Sequence, residues 1–292
     1  MTVPGETRYT LGRALLLDSI ELLLILAGFA IGAYGSLVGV GGGLILVPAL
    51  LLLYPDDSQE AITSVSLSVV LATASSSTIA YGRRRLIDYR TGTMFAAVAV
   101  PAAFAGAYAV RFIPKGAFEV AFGALLIGAA ALIVFNLASG GRRIRSPLRG
   151  PGIVRRSIDR GGGTTSHYAF DARTGVGLTA GSGFVSALFG VGGGIFQVPV
   201  MVTQLRFPVD IAVATSQFML IFMATSGISL HAIAGDFGSD ELTRASLLAV
   251  GAIVGAQAGA ALSQRIYGNL IIRLLAAGLI LVGARLILTS LF

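Results

Sequence analysis

The sequence predicts an all-α polytopic membrane protein built from two internally duplicated, inverted repeats. Three observations predict it. Hydrophobic residues make up 55% of the chain and charged residues only 12%, about half the ~25% charged share of soluble domains. Apolar stretches of bilayer length, ~20 residues each, recur along the chain and give about seven or eight transmembrane segments. The run Gly39-Val40-Gly41-Gly42-Gly43 returns 151 residues later as Gly190-Val191-Gly192-Gly193-Gly194, each copy followed by a Val-Pro pair, Val47-Pro48 and Val198-Pro199.

The apolar segments fall at about 14–53, 61–81, 91–111 and 116–137, and again at 174–204, 211–235, 242–262 and 270–290. The first of each set contains a glycine run. Glycine weakens a helix and proline removes a backbone donor, so both runs mark a broken or re-entrant helix. At an offset of 151, residues 35–48 and 186–199 share eight identities in fourteen positions. Further on, Thr63-Ser64 corresponds to Thr215-Ser216 and Gly106-Ala107 to Gly259-Ala260. This divides the chain into repeat one (1–137), a basic connecting loop (138–173) and repeat two (174–292).

Charge orients the repeats. The connecting loop holds eight arginines against Asp159 and Asp171, nearly all of the net +7. A basic loop between spans is a topology signal, which makes this one cytoplasmic; nucleic-acid binding is not expected. Its Gly161-to-Ser166 stretch reads as a flexible linker. Arg83, Arg84, Arg85 and Arg90 put the loop after the second segment inside, as Arg265 and Arg273 do theirs. Asp56, Asp57 and Glu60 mark an outer loop, as do Asp236, Asp240 and Glu241. The assignments agree if each half crosses the membrane an odd number of times, which inverts the repeats. Arg111 and Lys115 sit on the wrong side in this scheme. The N-terminal run does not read as a cleavable signal, because Asp18 and Glu21 interrupt it.

The glycine runs also carry chemistry. A helix restarting after each run has free amides and a positive dipole end, and glycine lets an anion approach the backbone. Candidate binding residues are Gly41, Gly42, Gly43, Gly192, Gly193 and Gly194, with Thr63, Ser64, Thr215, Ser216 and Gln217 as hydroxyl and amide donors. Gln197 and Ser36 stand where the other half has Leu46 and Ala187, so they would make the site asymmetric. No carboxylate falls in the middle of a span, which favours an anionic substrate over a dedicated cation site. With no cysteine and only His167 and His231, neither a metal site nor a cofactor is expected.

These motifs in an eight-segment chain resemble the sulfite exporter TauE/SafE family. The resemblance covers nearly the whole chain apart from the N-terminal tail and the basic loop. It implies a multi-pass, bacterial-type inner-membrane transporter of sulfite or organosulfonates. Together with the broken helices, this gives a secondary carrier for a small oxyanion, working by alternating access in the lipid bilayer. An uptake permease or channel for another small anion is the alternative. An intramembrane enzyme using Ser182 and His231 is a remote one. The sequence leaves the oligomeric state open, a homo-oligomer included.

Overall fold

A computed structural model describes residues 4–138, 152–159, 165–192, 194–263, 280–281 and 283–288. Helix α1 (Pro4–Val38) stops at the first glycine run, and α2 (Gly43–Leu53) restarts after it. Then come α3 (Gln59–Arg83), α4 (Tyr89–Ala109) and α5 (Lys115–Ala138). After the connecting segment come α6 (Ala172–Leu188), the short α7 (Gly194–Thr203), α8 (Val209–Ala234) and α9 (Ser239–Leu262). Residues 280–281 and 283–288 are again helical. Among the described residues five helices are long and apolar enough to cross a membrane. The fold is therefore that of an all-α, multi-pass membrane protein.

Small residues set the packing. A Cβ on Gly251, Gly255 or Gly259 of α9 would overlap the carbonyl oxygens of Ile25, Phe29 or Ala33 of α1. Lipid tails are as apolar as leucine, so helices in a bilayer gain by close backbone approach, and glycine every fourth residue permits it. The same device joins α4 to α6, where Gly106 lies on Phe184 O and Gly183 on Ala99 O. These registers make α1 run parallel to α9, and α4 parallel to α6. α3 packs on both α8 and α9, and α8 also packs on α4.

Helices α3 and α8 run antiparallel through the centre. Thr63 near the start of α3 meets His231 near the end of α8, and Thr215 near the start of α8 meets Asp88 just past the end of α3. α2 has 11 residues, about 16 Å at ~1.5 Å per residue, or half of a ~30 Å hydrocarbon core. It returns to the end of the bundle from which α1 set out, because Asp57 beyond it pairs with Arg244 of α9 at 2.6 Å and Tyr54 lies under the same guanidinium. The glycine-broken segments are thus a long helix plus a returning half-helix.

Two readings of the sequence need amending. The connecting segment is not wholly a linker: it contains an antiparallel hairpin, β1 (Ile153–Asp159) and β2 (Thr165–Asp171). Val154, Arg156 and Ile158 share one face with Tyr168 and Phe170, and that face turns to the helices. Phe170 is fully buried between Phe95 and Phe207, and Tyr168 packs on Phe207. The arginine density and the Gly161–Gly163 run hid this period-two pattern; those glycines lie outside the described residues, as do Arg265 and Arg273. Secondly, the misplaced cations are paired. Arg111 bridges to Asp236, and Lys115 donates to the carbonyls of Pro55 and Asp57.

Candidate functional site

The two glycine loops meet at the middle of α3 and α8. Gly41 packs on Val70 and Leu220, and Gly192 packs on Val70 from its own side. Both loops open alike. Val40 N donates to Gly35 O at 2.9 Å, and Val191 N to Ser186 O at 3.0 Å, equivalent bonds that cap α1 and α6. Gly39 and Gly190 take φ of 84° and 65°, a left-handed backbone that side chains resist. Gly42, with φ 89°, is the N-cap of α2.

The loops then cross. A Cβ on Gly43 would overlap the carbonyls of Gly190 and Val191, and one on Gly194 would overlap Gly39 O and Val40 Cα. Each half-helix therefore begins against the other half's loop. Gly193 lies outside the described residues.

Most amides of the first loop are committed within the protein. Gly39, Val40 and Gly41 all donate to Gly35 O, so their amides are committed to capping α1. Within α2, Ile45 and Leu46 donate to Gly42 O; the amides of Gly43 and Leu44 precede them and have no acceptor inside the helix. The loop carbonyls are satisfied from the neighbouring helices. Ser66 Oγ donates to Gly190 O at 2.6 Å, and Ser216 Oγ shares its one proton between Val213 O at 2.9 Å and Gly39 O at 3.1 Å. Buried backbone oxygens need such donors. Ser66 was not singled out in the sequence, because its α3 is crowded with hydroxyls and only the fold shows which one faces the loop.

The other predicted residues divide. Thr63 bonds back to Gln59 O at 2.8 Å and contacts His231 Nε2 at 3.4 Å. Ser64 bonds back to Ala61 O. Thr215 accepts from Asp88 N at 3.0 Å. Gln197 lies in a closed network, accepting from Ser182 Oγ at 2.6 Å and donating to Thr179 Oγ1 at 3.2 Å. Ser182 is thus held by Gln197, and His231 by Thr63 and Asp236; the Ser/His pair considered for hydrolysis is not assembled.

Ser36 and Gln217 differ from all of these. Both are fully buried. Gln217 Nε2 donates to Gly35 O at 2.9 Å, and Tyr81 OH donates to Ser36 O, also at 2.9 Å, so the two side chains clamp consecutive carbonyls just before loop one. Among the described residues Ser36 Oγ, Gln217 Oε1, Ser77 Oγ and Thr78 Oγ1 make no hydrogen bond of good geometry, although the Ser36 side chain also interacts with the Tyr81 phenol. Buried polar atoms are nearly always paired, so these atoms beside the helix break are exceptions to the pairing seen around them. A groove of about 500 Å³ opens elsewhere, on the α3–α9 flank, and is mostly apolar.

Comparison with known proteins decides the class. The model of the family described as sulfite exporter TauE/SafE matches residues 24–286. The chain belongs to the TauE/SafE family. It is 31% identical over 277 residues to a probable membrane transporter protein, YunE, of Bacillus subtilis, covering 93% of this chain and 98% of that one. A probable membrane transporter protein of Methanocaldococcus jannaschii is 25% identical over 256 residues, covering 84% of this chain and 86% of that one. No solved structure matches. As a TauE/SafE member with several bilayer-length helices, the chain is a multi-pass membrane transporter, not an enzyme.

Proposed function

We propose that this TauE/SafE protein is a secondary carrier that exports a small oxyanion, sulfite or an organosulfonate, by alternating access. The observation that carries the reading is the orphaned pair Ser36 Oγ and Gln217 Oε1, buried at the break before loop one. Gly42 N at the start of α2 lies against Gly35, and Ser77 stands one turn before the Tyr81 that bonds Ser36 O, an uncharged set that would receive an anion without a cationic side chain. Gln217 Oε1 accepts and cannot donate, so it suits a ligand that brings a proton of its own alongside its anionic oxygens. The contact between the loops speaks for a carrier, since an open channel would keep them apart.

Inverted repeats are part of this proposal. In support, α1 packs on α9 as α6 packs on α4, and α3 meets α8 head to tail. The ends rich in arginine would face the cytoplasm. Reporter fusions at Arg84 and Asp240 are expected on opposite sides of the membrane; the same side for both rules inversion out.

The transport test is counterflow of labelled sulfite into proteoliposomes, with sulfoacetate, sulfate and lactate as competitors. Labelled sulfite should accumulate transiently against unlabelled sulfite, and sulfoacetate should compete better than lactate. Flux without counterflow would indicate a channel, and absence of flux for every anion would overturn the reading.

A further inference from the structure

Two polar clusters outside the anion site lie at opposite ends of the bundle. At one end Thr63 contacts His231 Nε2, His231 Nδ1 lies 2.8 Å from Asp236 Oδ2, and Arg111 bridges to the same carboxylate oxygen. At the other end Asp88 N donates to Thr215 Oγ1. The Asp88 carboxylate accepts from Tyr168 OH at 2.6 Å and from both the amide and the hydroxyl of Thr91, and Arg156 Nε stands 3.7 Å away. Arg156 Nε also donates to Thr91 Oγ1 at 3.2 Å.

Each cluster ties one threonine of the duplicated Thr-Ser pairs to an acid, and the acid to an arginine. Their origins differ. The first cluster is drawn from the helices and their turns. In the second, the arginine and the phenol come from the β1–β2 hairpin, which lies between the repeats. Tyr168 is a firm donor there: burial, then the adjacent Asp88 carboxylate, hold its phenol far above the usual range. The hairpin seats its buried aromatic face beside this cluster, over the turn that leads from α7 into α8.

We infer that the hairpin is a working part of the inner gate of the proposed carrier. Its Arg156 and Tyr168 latch Asp88 and hold the Thr215 end shut, while Arg111, Asp236 and His231 latch the Thr63 end. Asp88, Arg156 and Tyr168 are positioning residues, acting through Thr215 and not on the substrate. The inference rests on the alternating-access reading above.

The chain has no cysteine, so single near-isosteric reporters can be placed at Ser216→Cys, near the inner latch, and Ser64→Cys, near the outer one. Modification by a small thiol reagent is then measured in membranes, with and without the paired change Arg156→Gln and Tyr168→Phe. Charge-assisted bonds of this kind shift an equilibrium by about tenfold or more. The expected result is about tenfold faster modification at Ser216→Cys and slower modification at Ser64→Cys, the reciprocal change that alternating access requires. Asp88→Asn should act in the same direction. Faster modification at both positions would mean that the hairpin only stabilises packing, and no change at either would mean that it gates nothing. Both outcomes overturn the inference. Failed counterflow in the unmodified protein would instead overturn the carrier reading.

Discussion

Gly43→Ala should abolish transport although it adds a single methyl group. The new Cβ would overlap the backbone carbonyls of Gly190 and Val191, which no rotamer can move. Overpacking of this kind costs about 1–3 kcal/mol or more, enough to cut flux by about a hundredfold or to force the loops apart. Loss of a single interhelical hydrogen bond, as in Ser216→Ala, costs only ~0.6 kcal/mol on average in a bilayer and should be far milder. Gly177→Ala and Gly181→Ala are the controls. Both positions are exposed, with nothing among the described residues within 4 Å of an added Cβ. Initial rates of counterflow at matched protein amounts measure the difference; near-normal flux in Gly43→Ala would show that the crossed loops need not touch.

Gln217→Met should leave the fold intact and remove substrate recognition. Methionine keeps the volume and the unbranched shape. Gly35 O still accepts from the amides of Gly39, Val40 and Gly41, so the α1 cap survives without the glutamine. What disappears is the acceptor Oε1, together with the amide that orients it. The expected outcome is a rise in KM of about tenfold or more, the worth of one well-placed hydrogen bond to a charged ligand, with little change in thermal unfolding of the detergent-solubilised protein. Ser36→Ala should shift KM the same way by less. Unchanged KM in both variants would remove these residues from the site.

Much of the fold was legible in the residues. Composition and segment length gave the membrane helices, and the glycine runs gave both breaks to within a residue, whereas Pro48 and Pro199 lie inside α2 and α7 and mark no break. The site was harder to read. The sequence marked Ser36 and Gln217 as candidates, but it also marked Ser64 and Gln197, whose polar atoms are satisfied inside the protein. A hydroxyl on an apolar helix looks the same whether it bonds back to its own turn or faces a break. Contacts between distant segments decide that, and one sequence does not carry them. The hairpin escaped for a related reason. Tyr168 and Phe170 alternate as a strand should, but only docking on Phe95, Phe207 and Asp88 separates that pattern from a solvated loop.

The central claim is that a transported anion binds beside loop one, against Ser36 and Gln217. The most direct measurement is substrate protection of a single Ser36→Cys reporter in the otherwise cysteine-free chain. The account predicts that the anion most effective in counterflow slows thiol modification there, half-maximally near its transport KM, and that lactate does not. Modification at Ser36→Cys that is indifferent to a transported anion would contradict it.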